Sequence, residues 1–158
     1  MPLIDSIKKE TCYVGIEAKT DEEALGILSD KLCDLGIVNE DFKENVILRE
    51  RNFSTGLPLT GYKVAIPHTD ACYVNETRIC VAVLKNPVDF RVMGSSDGER
   101  VPVHLIIMLA IKEQHAQLEV LKELINLVVQ NEKMIEEIIL SKDGNEIYEV
   151  LNKHLTKA

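Results

Sequence analysis

The sequence predicts an α/β fold in which a mixed β-sheet is sandwiched by helices. Three observations carry that expectation. Amphipathic helical segments open and close the chain, and β-branched runs occupy its middle. One of those runs, "VPVHLIIMLAI", is apolar on both faces, which suits the centre of a sheet covered on both sides. The 158 residues fit a single domain, 1–158, and 46% hydrophobic residues can form a core without metal or disulfide staples.

Taken in order, residues 20–35 read as the first helix. Thr20 and Glu23 have capping-box spacing, and Gly36 is a natural stop. Ala24, Leu25, Leu28, Leu32 and Leu35 make its apolar face. A second helix is expected from Asn39 through "EDFKENVILRER", with Phe42, Val46 and Leu48 facing inward. "NFSTGLPLTGYK" is rich in turn formers and reads as loop. "KVAIP" is a short strand, "TRICVAVLK" a longer one, and "NPVDF" a turn with a short strand or bridge. "MGSSDGER" is a polar loop before the third strand, "VPVHLIIMLAI", whose His104 reads as a satisfied core or edge imidazole. Three helical segments follow: "EQHAQLEVLKELINLVVQ", striped by Leu118, Leu121, Leu124, Leu127 and Val128, then "NEKMIEEIILS" and "NEIYEVLNKHL".

Composition excludes several functions. Aromatics are 4% and Trp is absent, so the core is aliphatic and base-stacking platforms are not expected. A net charge of -8 argues against a nucleic-acid backbone or an anionic membrane as partner, and suits a basic protein surface. Cys12, Cys33, Cys72 and Cys80 show no metal-type spacing and read as small buried hydrophobes in a reducing compartment. "MPLIDSIKKE" lacks the apolar core of a signal peptide, and "VPVHLIIMLAI" is too short to span a bilayer. The expected location is the cytoplasm, with no metal and no cofactor.

"KVAIPH" carries the chemistry. Pro67 has no amide hydrogen, so it ends the strand and biases Ile66 towards extended backbone. That leaves His68 as an exposed imidazole at the rim of the sheet, where α/β folds collect ligands. The residues that follow, "TDACYVN", are expected to form a helical turn with free amides suited to an anion. No HxH, HExxH or GxSxG companion is present, which disfavours a metal ligand or a triad base. Two readings stay open on residue types alone: a plain surface histidine, or a nucleophile that accepts a phosphoryl group with Arg49 as its cation.

The stretch "LRERNFSTGLPLTGYKVAIPHTD" resembles the active-site signature of bacterial phosphotransferase-system (PTS) enzyme IIA domains of the fructose/mannitol superfamily: an Arg-Glu pair, a Thr-Gly, a short loop and an A-I-P-H motif. "NPVDFRVMG", with "VPVHLIIMLAI" and a helix opening on Gln and Leu, is similar to the galactitol-specific branch. The resemblance implies that His68 is phosphorylated by the phosphocarrier HPr and passes the group to a cysteine of a IIB component. It places the family arginine on Arg49 and implies that Thr55 belongs to the phosphoryl-stabilising set. Many members carry a second histidine at the start of the helix after the third strand. Here the leucine register puts Gln117 at that position and His115 two residues earlier. Either can serve the phosphoryl group: Gln117 as an amide donor, or His115.

HPr and IIB must reach the same imidazole in turn. Leu57, Leu59 and Tyr62, in an unusually apolar loop, are therefore either a shared docking surface or a lid folded on the core. Two functions follow: a phosphoryl carrier in galactitol-type polyol uptake, or a regulatory module of the nitrogen-regulatory type that reports its phosphorylation state by protein binding.

Overall fold

The computed structural model describes residues 3–95 and 97–155. Its strands are β1 (Cys12–Ile16), β2 (Gly56–Leu57), β3 (Lys63–Ala65), β4 (Arg78–Arg91) and β5 (Arg100–Ala110). They form one sheet in the order β1-β4-β5-β3-β2. β4 and β5 pair antiparallel, as do β2 and β3; β1 joins β4 and β3 joins β5 in parallel, so the sheet is mixed. Helices α1 (Asp21–Asp34) and α2 (Phe42–Asn52) cover one face; α3 (Gln114–Gln130), α4 (Glu132–Ile139) and α5 (Gly144–Leu155) cover the other.

The strand period sorts the core into two layers. On β5, Ile106, Met108 and Ala110 pack under α1 and α2, while Leu105, Ile107 and Leu109 pack under the C-terminal helices. β4 does the same with Cys80 and Ala82 on one side and Ile79 and Val81 on the other. β5 is central, as its two apolar faces require. At the start of α1, Thr20 Oγ1 accepts from Glu23 N at 3.1 Å, and Gly36 ends the helix at φ 76°.

Several local expectations are corrected. "NPVDF" is no separate turn: β4 runs through it, and the ladder to β5 slips between Val83 and Val88, leaving Lys85, Asn86 and Pro87 exposed. β1 has no strand pattern in the sequence, since Gly15 interrupts a five-residue run. β2 lies inside the stretch read as loop, because two residues suffice to pair with β3. α2 starts at Phe42, later than Asn39. Leu35, Leu48 and Leu118, read as inward, are 46%, 48% and 58% exposed. Of the cysteines, Cys12 and Cys80 are buried, but Cys33 is half-buried and Cys72 is exposed.

Gly144 fixes how α5 meets the sheet edge. A Cβ there would collide with the carbonyl oxygen of Cys12, which is backbone and cannot swing aside. Gly144→Ala should lower stability by about 1–3 kcal/mol despite alanine's better helix propensity. Chemical denaturation checks this, and an unchanged midpoint would contradict it.

Candidate functional site

The backbone that carries His68 is pinned at four points. Ile66 N donates to Thr55 Oγ1 at 3.1 Å. Pro67, whose ring removes its own donor, still accepts from Leu109 N at 3.0 Å and so stays tied to β5 after β3 has ended. The Thr69 carbonyl accepts from Gln117 Nε2 at 2.6 Å. Ala71 N donates to Gln114 Oε1 at 3.0 Å. The turn after the strand, Ala71–Tyr73, is therefore held by the first turn of α3. This corrects the idea of free amides there: the Ala71 amide is occupied.

His68 itself is buried, with 7% of its surface exposed, which corrects the expectation of an open imidazole. Its Nδ1 lies 3.0 Å from the Ile66 carbonyl oxygen. A carbonyl only accepts, so Nδ1 carries the proton and the lone pair of the neutral ring sits on Nε2. Burial is the main cause that pushes the His68 pKa below its ordinary value. The Arg49 charge lowers it further, while the Ile66 hydrogen bond and Asp70 oppose the shift. The imidazole is thus kept neutral, the form a nucleophile needs.

One facet of His68 faces a cleft of about 340 Å³. Arg49, Arg51 and Arg91 line it, together with Phe53, Thr55 and Leu121. Arg49 comes from the last turn of α2, and its guanidinium stacks 4.3 Å from the centre of the Phe53 ring. Its Nε is buried without a hydrogen-bond partner among the described residues. An unsatisfied buried donor is costly, so this position of Arg49 is not explained by stability alone. Arg51 is engaged: it binds Glu22 through Nε at 2.6 Å and Nη2 at 2.7 Å. The cleft is therefore locally basic in a chain of net charge -8.

Glu50 lies behind this cleft and is 5% exposed. One carboxylate oxygen accepts from Thr55 N and the other from Thr55 Oγ1, both at 2.8 Å. Burial raises its pKa to about 7; the two Thr55 bonds pull it down, and Asp21 adds a small upward push.

The structure thus brings His68, Arg49 and Thr55 to one place. Gln117 is buried, one N–H of its amide donates to the Thr69 carbonyl, and it does not line the cleft. His115 is exposed on the first turn of α3 and also lies outside the cleft lining. Leu57 is 7% exposed and packs with Val64 and Ile66, so its reading as an exposed docking residue is corrected: pairing in β2 turns it into the core. Leu59 and Tyr62 line a separate apolar groove with Val128 and Ile135. His104 accepts from Lys63 N at 3.4 Å and meets Tyr62 edge-on. Glu50 and Gln114 escaped the sequence reading, although Glu50 stands in the Arg-Glu pair. No group of three or more His, Cys, Asp or Glu that could hold a metal ion occurs among the described residues, nor does a helix long and apolar enough to cross a membrane.

A family model described as "Phosphoenolpyruvate-dependent sugar phosphotransferase system, EIIA 2" matches residues 5–154. The PTS system galactitol-specific EIIA component of Escherichia coli (strain K12) is 26% identical over 141 residues, 89% of this chain and 91% of that protein. A nitrogen regulatory protein of Bradyrhizobium diazoefficiens is 29% identical over 153 residues, 96% of this chain and 95% of that protein. Among solved structures, the complex of enzyme IIAMTL and phosphorylated enzyme IIBMTL from Escherichia coli contains a chain of the same fold. Its TM-score is 0.69 at 22% identity, covering 93% of this chain and 99% of that one.

Proposed function

The chain belongs to the EIIA 2 family of the phosphoenolpyruvate-dependent sugar phosphotransferase system, and from that premise we propose that it carries its phosphoryl group on Nε2 of His68. In this reading HPr supplies the group in the cytoplasm, and a cysteine of a IIB component receives it during uptake of a galactitol-type polyol.

The observation that carries the reading is the bond from His68 Nδ1–H to the Ile66 carbonyl, which leaves Nε2 as the lone-pair nitrogen of a ring beside Arg49. The Nε2 lone pair attacks phosphorus as the donor's N–P bond breaks, and the donor imidazole keeps that electron pair. No proton leaves His68: its Nδ1–H stays on Ile66 and spreads the positive charge the ring gains. Phosphoryl transfer needs chiefly alignment and cationic stabilisation of the equatorial oxygens. The four-point anchoring of residues 66–71 supplies the first, and Arg49 the second. Gln117 and Gln114 act from behind, holding the loop, and Thr55 acts through Ile66. His115, at the exposed start of α3, is available to partners rather than to the group itself.

HPr and IIB would use the face that carries the cleft, in turn. Phe53, 61% exposed at its edge, and Leu118, one turn before Leu121 on α3, suit that contact better than the buried Leu57. The "NPVDFRVMG" segment supports the polyol-uptake reading. The similarity to the nitrogen regulatory protein supports a second one, a module that reports its phosphorylation state by binding.

One experiment tests both. The chain is incubated with phosphoenolpyruvate, enzyme I and HPr, the label is mapped by mass, and a galactitol-type IIB is then added. A single label on His68 that discharges to IIB is expected. A label on His104, His115 or His154, or none, overturns the assignment; a stable label that no IIB removes favours the regulatory reading.

A further inference from the structure

A buried carboxylate without a cation needs a reason, and Glu50 has no ion pair among the described residues. A loop brace would need only one acceptor, and the bond from Thr55 N already provides it. The second oxygen does something different. Thr55 Oγ1 receives the Ile66 N–H, so its own single hydrogen must point elsewhere, and it points to Glu50 Oε1. Every donor and acceptor along Glu50, Thr55 and Ile66 then has a fixed direction. The chain ends on the residue whose carbonyl takes the His68 Nδ1 proton.

We infer that Glu50 is a positioning residue for the phosphoryl-accepting imidazole: through the Thr55 hydroxyl and the backbone of Ile66 it selects Nε2 of His68 as the nucleophile. The inference rests on the reading of His68 as the acceptor. Glu50 does not line the cleft and its carboxylate bonds to Thr55 rather than to the ring, so its action is transmitted by orientation. With Ile66 held at its N–H by Thr55, and Pro67 held at its carbonyl by β5, the Ile66 carbonyl between them has one direction. A carbonyl so held accepts from Nδ1 and excludes the other tautomer. Burial is the main cause that raises the Glu50 carboxyl to about 7.

The test separates tautomer from transfer. Nitrogen NMR of labelled histidine reads the protonation of each His68 ring nitrogen in the unphosphorylated protein, independently of whether His68 is ever phosphorylated. The variants are Glu50→Gln, Glu50→Ala, Thr55→Val and the conservative Thr55→Ser. Thr55→Ser should keep the Nδ1–H form and near-parent rates of labelling by HPr. Thr55→Val and Glu50→Ala should mix the tautomers and slow labelling on the order of ten- to a hundredfold. Glu50→Gln keeps shape and folding but must turn its amide hydrogens towards a donor, and it should fall between. The Nδ1–H form persisting in folded Thr55→Val and Glu50→Gln overturns the proposal, even if Glu50→Ala fails to fold. A mixed tautomer with no labelling of the parent protein would instead overturn His68 as acceptor and leave the positioning role standing.

Discussion

His68→Ala should accept no phosphoryl group from HPr, while its unfolding midpoint should stay close to the parent's, because the loop around it is anchored through Ile66, Pro67, Thr69 and Ala71 rather than through the imidazole. The expectation extends to pH. Burial and Arg49 depress the His68 pKa, so the neutral ring persists below the ordinary histidine value of 6.5. Acceptance of the phosphoryl group should therefore hold as pH falls through 6.5 and decline only beneath it, where Nε2 becomes protonated. An NMR titration of His68 beside the rate of labelling checks both. A His68 that titrates above 6.5, or a labelled His68→Ala protein, would defeat the assignment.

Arg49→Ala should slow phosphoryl transfer by about 10²–10³-fold, the loss seen when one preorganised donor to developing charge is removed. Arg49→Lys should lose less, since it keeps the charge but not the planar fork. The same variants carry an independent mark of proximity. Removing a positive charge beside His68 should raise its pKa in Arg49→Ala, and far less in Arg49→Lys, because Arg49 is one of the causes that lower it. Rapid-quench labelling gives the rate and NMR the titration. A large rate loss without a pKa rise would mean that Arg49 acts on the partner instead of the phosphoryl group.

What the sequence determined by itself was local or periodic. The Thr20 cap, the Gly36 stop, the two-faced apolar run of β5 and the strand-ending Pro67 follow from chemistry within a few residues of each other, and each stands where the pattern puts it. The order of elements was enough for the fold class, because a strand apolar on both faces must be covered twice. The tertiary structure decided everything that depends on which distant groups meet. Leu57 reads as either an exposed docking residue or part of a lid on the core, and pairing with β3 decides for the core. His68 reads as exposed until packing buries all but the facet that lines a cleft built from α2, β4 and α3. Gln117 reads as a group near phosphate, while the structure sets one of its amide hydrogens on the Thr69 carbonyl, and Glu50, only one half of an Arg-Glu pair in the sequence, is buried against the Thr55 hydroxyl. In each case the deciding term is desolvation or a hydrogen bond between residues apart in the chain, and neither has a sequence period to read.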